Sequence, residues 1–168
     1  LHDESNIPVP RPIATRSGEW VVSAAVDGVP QARCCCVYTW VKGIELSERS
    51  TPENFERLGK LTAALHQFGF THRPKHHEQL AVYNTVFPFA EPCVLFDADK
   101  RHFFTEEQIM LLREAVERLD AEIARLYARG DGLSVVHGDL HQWNVMVYRG
   151  RLTPIDFEDM LLAYPIQD

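Results

Sequence analysis

The most informative part of the sequence runs from residue 133 to residue 159 and reads LSVVHGDLHQWNVMVYRGRLTPIDFED. It opens with an apolar run, residues 133–136, which predicts a short strand. Polar residues and glycine follow in residues 137–144, a composition typical of a loop. Loops at the ends of rigid elements commonly carry reactive side chains, so this loop is a candidate site.

A β-hairpin is predicted directly after the loop. Residues 145–148 and 152–155 have the apolar composition of strands, and Arg149-Gly150 between them favours a tight turn. Pro154 has no N–H to donate, so the second strand is expected at the edge of its sheet.

This hairpin is expected to bring oxygen-bearing side chains together. With a two-residue turn, residues whose numbers add to 299 face each other, so Asp156 opposes Trp143 and lies one step from Asn144. Opposed residues are ~5 Å apart. Asp139 lies in the loop just before, and carboxylate and amide oxygens suit a hard cation such as Mg²⁺.

Phosphoryl transfer requires such groups. Oxygen ligands hold the magnesium on the donor phosphates, and a carboxylate orients the acceptor hydroxyl and takes its proton. The spacing makes Asn144 and Asp156 the predicted metal pair and leaves Asp139 as the predicted base.

The motifs also resemble a known family. The pattern H-x-D-x(4)-N at His137, Asp139 and Asn144, then IDFED at residues 155–159 and PIQD at residues 165–168, is similar to the aminoglycoside phosphotransferase/choline kinase superfamily. Within it, the pattern looks most like the branch of bacterial stress-response serine/threonine kinases. The resemblance implies a protein-kinase-like α+β fold and the use of ATP and Mg²⁺.

The resemblance assigns roles to single residues. It makes Asp139 the catalytic base, Asn144 and Asp156 the magnesium ligands, and Asp168 a structural support of the catalytic loop. The implied acceptor is a hydroxyl of a small molecule, such as an aminoglycoside, choline or a homoserine-like compound, or of a protein serine or threonine.

Other polar residues of this region have open roles. Glu158, Asp159 and His141 are candidate metal or substrate contacts, with solvated carboxylates and loop support as the alternatives. His137 is predicted to orient the loop by hydrogen bonding rather than to transfer a proton. Trp143 is predicted to pack.

Two lobes are implied by the resemblance. Residues 1–41 would be a partial N-lobe, with an extended connector and two antiparallel strands that end at the hinge. Residues 42–168 would be a partial, mainly helical C-lobe with the catalytic hairpin. Adenine would lie near the hinge residues Tyr38, Thr39, Trp40 and Val41.

Two amphipathic helices are predicted in the second lobe. The first begins at residues 50–53, a capping-box sequence with proline, and Gly69 suits its end. The second begins at residues 105–108 and ends at Gly130.

Some parts of a kinase are missing from the sequence. It contains neither G-x-G-x-x-G nor G-x-x-x-x-G-K, and Lys42 follows the second strand rather than lying in it. These parts would precede Leu1, so the chain is interpreted as a fragment or a degenerate relative that is inactive alone.

Two alternatives stay open. His137, Asp139 and His141 have the alternating spacing of transition-metal ligands, which would fit a metal-dependent hydrolase. A non-catalytic kinase-like binding module would also fit the missing N-lobe parts.

Composition limits the partners. A net charge of −7 argues against a broad interface with nucleic acid, and no apolar run approaches the ~20 residues of a membrane span. The consecutive Cys34, Cys35 and Cys36 are expected to be reduced thiols, which indicates a cytoplasmic protein. The sequence does not indicate an oligomeric state.

Overall fold

The computed structural model describes residues 1, 3–88 and 94–168. Helices and antiparallel strand pairs together give the predicted α+β class. In chain order the elements are β1 (Val22–Ala24), β2 (Arg33–Cys35), β3 (Ile44–Glu45), α1 (Pro52–Thr71), α2 (Glu106–Arg129), β4 (Ser134–Val136), β5 (Val145–Tyr148), β6 (Arg151–Pro154) and β7 (Leu161–Ala163). Short 3₁₀ helices lie at Leu46–Arg49, His77–Gln79, Val94–Phe96, Ala98–Phe103 and Pro165–Gln167.

The chain divides into two compact units. Unit 1 comprises Leu1–Phe68 and Asp139–Glu158, and unit 2 comprises Gly69–Gly138 and Asp159–Asp168. This division differs from the lobe boundary predicted at residues 41 and 42, which stays a prediction.

The main sheet of unit 1 has the strand order β3-β5-β6. Its hairpin has the predicted register, with Val145 opposite Pro154 and Tyr148 opposite Arg151. At the turn, Arg149 and Gly150 both have positive φ, 50° and 76°, as a type I′ turn requires. β6 is an edge strand, as Pro154 predicts.

One face of this sheet forms the core of unit 1. Leu46, Val145, Val147 and Leu152 are buried together, and side chains of α1 and of the loop at residues 137–144 pack on them, namely Leu58, Leu61 and Leu140. The alternation of buried and exposed residues along β5 and β6 is that of a sheet with one covered face.

The N-terminal hairpin of unit 1 is short. Its paired residues are Val22–Ala24 and Arg33–Cys35, joined by a long loop in which Gly28 has φ 86°. Cys34, Cys35 and Cys36 are exposed free thiols, and Cys93 lies outside the described residues.

Helix α1 begins where predicted but ends later. Thr51 Oγ1 accepts a hydrogen bond from the Asn54 N–H at 3.3 Å, so Thr51 caps the helix. The helix continues through Gly69 to Thr71, so the predicted end was wrong. A Cβ on Gly69 would lie 2.0 Å from the Val135 carbonyl oxygen, and glycine serves there for close backbone approach rather than as a stop signal.

Unit 2 contains α2 and the β4–β7 pair. The prediction for α2 is confirmed: Thr105 and Gln108 form a capping box, and Gly130 ends the helix with φ 67°. Val136, Leu161 and Ala163 are buried where β4 pairs with β7, with Tyr83 packed against them. No described helix combines the length and apolarity required to span a membrane.

Candidate active site

Residues 139–144 form a compact loop in unit 1. The His141 N–H donates to the Asp139 carbonyl at 3.1 Å, and the Asn144 N–H donates to the His141 carbonyl at 3.0 Å. Leu140 packs on the hydrophobic core of the unit. The loop is therefore held by successive turns and by one apolar anchor, which limits the positions of its polar side chains.

The structure joins the side chains of Asp139 and Asn144 directly. Asn144 Nδ2 donates to Asp139 Oδ2 at 2.7 Å and to the Asp139 backbone carbonyl at 3.0 Å. The Asp139 side chain is 44% exposed, so it is both held and accessible. The sequence predicted that these residues lie near each other but not that the amide binds the carboxylate.

Asp156 follows directly on the hairpin ladder. The Ile155 N–H donates to the Asn144 carbonyl at 2.9 Å, which extends the register of β5 and β6 by one pair. Asp156 is exposed and has φ 62°, a left-handed conformation that aspartate adopts more readily than most residues. This backbone turns the chain away from the strand direction at the end of the ladder.

Glu158 and Asp159 are exposed residues of the following turn. In unit 2, burial raises the pKa of Tyr83 above its usual value, and the negative charge of Asp159 raises it further. The metal or substrate roles of both acids stay predictions.

In unit 2, Asp168 binds the backbone that precedes Asp139. Its Oδ1 accepts from the Gly138 N–H at 2.7 Å and its Oδ2 from the His137 N–H at 3.4 Å. The His137 side chain is only 3% exposed. The supporting roles of Asp168 and His137 stay predictions.

Gly138 cannot be replaced without moving this backbone. Its φ is 89°, and a Cβ would lie 2.0 Å from the Asp159 carbonyl oxygen and 2.9 Å from Leu161. Glycine is required for the close approach as well as for the conformation.

Gln167 is a supporting residue that the sequence analysis missed. Its Oε1 accepts from the Tyr127 hydroxyl at 2.9 Å and from the Tyr164 N–H at 3.0 Å, while its Nε2 donates to the Tyr83 carbonyl at 2.8 Å. Burial raises the pKa of Tyr127 above its usual value. Gln167 thus ties α2 and the loop before it to the turn that ends in Asp168.

The predicted hinge is mostly exposed. The Thr39 N–H donates to the Arg11 carbonyl at 2.8 Å, and Thr39 Oγ1 accepts from the Arg11 N–H at 2.9 Å. The Thr39 amide is therefore occupied in this conformation. The nucleotide role of Tyr38, Thr39, Trp40 and Val41 stays a prediction.

Trp143 does not pack as predicted, because its side chain is 56% exposed. Its ring contacts His141 edge to face, with centroids 5.2 Å apart. Among the described residues, no three His, Cys, Asp or Glu side chains are arranged to hold a metal ion.

In the comparison with protein families, the match covers the whole chain. The profile of the phosphotransferase enzyme family matches residues 1–168. The chain belongs to the phosphotransferase enzyme family. Among curated relatives of this phosphotransferase chain, the amicoumacin kinase of Bacillus subtilis (strain 168) is 27% identical over 163 residues, which cover 96% of the chain and 46% of that kinase.

Solved structures show that the phosphotransferase chain has a kinase-like fold. A microcompartment-associated aminopropanol kinase superposes with a TM-score of 0.68 at 20% identity, over 98% of this chain and 52% of its own. An amicoumacin kinase in complex with AMP-PNP and Ca²⁺ superposes with 0.65 at 21% identity, over 98% and 47%.

A spectinomycin phosphotransferase in complex with ADP and spectinomycin superposes with 0.57 at 19% identity, over 100% of this chain and 53% of its own. The phosphotransferase chain thus spans about half the length of the relatives it matches.

Proposed function

We propose that this chain carries the catalytic loop and the cation ligands of an ATP-dependent phosphotransferase that phosphorylates a hydroxyl of a small molecule. The observation that carries the proposal is the accessible Asp139 carboxylate held by the Asn144 amide at 2.7 Å, at the end of the hairpin that leads to Asp156. Membership of the phosphotransferase family supports it and favours this function over a metal-dependent hydrolase.

The donor atoms of this region suit magnesium. Asn144 uses its Nδ2 to bind Asp139, so its amide oxygen is the atom that remains for a cation. The exposed Asp156 carboxylate supplies a second oxygen ligand. When bound, Mg²⁺ would neutralise the charge that develops on the donor phosphates.

Asp139 would act on the acceptor. Its carboxylate orients the acceptor hydroxyl and takes the proton as the oxygen bonds to the γ-phosphorus and the bond to the bridging β–γ oxygen breaks, which releases ADP. Because the carboxylate is held by the amide of Asn144, little reorganisation is needed when the acceptor binds.

Small molecules are the favoured acceptor class. The relatives named above are kinases of amicoumacin and aminopropanol and a phosphotransferase of spectinomycin. A serine or threonine of a protein is the alternative, and a panel that includes both classes would separate them.

Asp139→Asn and Asp156→Asn in the complete enzyme test the proposal. We expect Asp139→Asn to lower kcat by about 10²–10⁴-fold while MgATP affinity stays near wild type. Asp156→Asn should instead weaken MgATP binding. Transfer from labelled ATP would be measured with spectinomycin, amicoumacin, 1-amino-2-propanol and a serine-containing peptide, and nucleotide affinity by calorimetry.

Asp99→Asn is the matched control, because Asp99 is 69% exposed and contacts only its neighbour Lys100 among the ion pairs described. It should behave as wild type. Wild-type turnover in Asp139→Asn would refute the proposed role of this carboxylate.

A further inference from the structure

The ring nitrogens of His141 have two different partners. Nδ1 accepts a hydrogen bond from the Trp143 backbone N–H at 3.2 Å. Nε2 lies 3.3 Å from Asp139 Oδ1. Both contacts are local to the catalytic loop.

These partners select one tautomer of the neutral ring. A backbone N–H only donates, so Nδ1 must carry a lone pair, and the ring proton then resides on Nε2. Nε2 lies 3.3 Å from a carboxylate oxygen, which only accepts when ionised. The Trp143 amide therefore places the ring proton on the nitrogen that lies beside Asp139.

The Asp139 carboxylate then has a group that can donate within 3.3 Å of each oxygen. Asn144 Nδ2 lies 2.7 Å from Oδ2, and His141 Nε2 lies 3.3 Å from Oδ1. Donor groups beside both oxygens restrict the plane of the carboxylate more than a donor beside one oxygen. We propose that His141 is a positioning residue that fixes the Asp139 carboxylate in the plane required to receive the acceptor proton. This inference rests on the proposed function.

The geometry favours positioning over the two roles left open by the sequence. A metal ligand needs a ring lone pair that faces the ion, and the Nδ1 lone pair faces the Trp143 N–H. The edge-to-face contact between the rings of His141 and Trp143 further restricts the imidazole. His141 is 41% exposed, so substitutions there need not disturb the core.

Two substitutions in the complete enzyme separate the two nitrogens of the ring. Glutamine extends an amide N–H to about the position of Nε2 and can still donate to Asp139. Asparagine reaches only the position of Nδ1 and can keep the contact with the Trp143 amide alone. A positioning role predicts that His141→Asn lowers kcat by about 10–100-fold, whereas His141→Gln stays within about threefold of wild type.

The KM for ATP should be unchanged in both variants, because the described contacts of the His141 side chain are to Asp139 and Trp143 and not to the proposed cation ligands. His102→Asn is the control, since His102 is exposed and contacts Phe103 outside the site. Equal losses in His141→Gln and His141→Asn, or no loss in either, would refute the inference.

A measurement that does not depend on turnover completes the test. Long-range ¹H–¹⁵N correlation spectra of the labelled enzyme, recorded at a pH where the ring is neutral, should show the Nε2–H tautomer of His141. A protonated Nδ1 would contradict the geometry. If Asp139→Asn retains full activity, the proposed function fails; if Asp139→Asn is inactive and His141→Asn is fully active, only the role of His141 fails.

Discussion

Two antiparallel hairpins of unit 1 differ in what fixes their register. The β5–β6 hairpin has a two-residue turn and buries Val145, Val147 and Leu152 on one face. The β1–β2 hairpin pairs three residues on each strand across a long loop, and every residue of β2 is exposed. Only in the β5–β6 hairpin do the turn and the buried face require the same register.

The difference shows where this chain needs accurate geometry. A shift of one residue in β5–β6 would turn buried valines to solvent and would change the residues that Asp156 opposes. In β1–β2 a similar shift would move few buried side chains. The predicted metal pair therefore lies at the end of the hairpin whose register is fixed both by its turn and by its buried face.

The largest expected effect is the difference in stability cost between alanine substitutions at two glycines with positive φ. A Cβ on Gly43 would lie 2.5 Å from the Val147 carbonyl oxygen of β5, whereas one on Gly28 would meet nothing within 4 Å. We expect Gly43→Ala to cost roughly 3 kcal/mol and Gly28→Ala about 1 kcal/mol, since only the first adds a steric overlap to the backbone strain. Urea unfolding measures both, and equal costs would contradict the asymmetry.

A smaller effect is expected from a valine-to-alanine substitution made in β5 and just before β1. Val145 is 0% exposed in β5, and Val21, just before β1, is 56% exposed. Val145→Ala should cost about 2 kcal/mol through lost burial and a cavity, and Val21→Ala under about 0.5 kcal/mol. Amide hydrogen exchange in each hairpin would show whether the loss is local. A comparable cost at Val21 would mean that its side chain is buried in solution.

The smallest expected effect concerns the turn itself. Arg149 has φ 50°, which asparagine tolerates better than arginine or alanine. Both Arg149→Asn and Arg149→Ala remove the guanidinium 5.3 Å above the Tyr148 ring, so that loss cancels between them. We expect the asparagine variant to be about 1 kcal/mol more stable than the alanine variant by thermal unfolding. No difference would mean that the turn does not strain the native chain.

The sequence predicted those parts of the fold in which local signals agree. The β5–β6 register followed from the Arg149-Gly150 turn and the strand pattern, and it is confirmed. The capping box and terminal glycine of α2 are likewise local features and are confirmed.

The sequence did not reveal features that depend on distant partners. Strand β3 is two residues long and exists because Ile44 and Glu45 pair with β5. Gly69 continues a helix because Val135 approaches it. Propensity rules consider only residues that are close in sequence, so neither feature was predicted.

The predictions for the candidate site show the same difference between local signals and distant partners. Asp139, Asn144 and Asp156 were predicted from spacing, because their separation along the chain is set by one loop and one hairpin, and their roles stay predictions. The role proposed for His141 could not be predicted because it depends on which ring nitrogen faces the Trp143 amide. The contacts of Gln167 could not be predicted because its partners are far apart in sequence.

The tight turn at Arg149 and Gly150 also has a consequence for how the protein folds. It closes β5 on β6 with little loss of chain entropy, so this hairpin is expected to form within microseconds. Pairing of β3 with β5 requires contacts between residues about 100 positions apart, which form more slowly. The residues on either side of the predicted cation site are then brought together early, before the rest of the sheet has assembled.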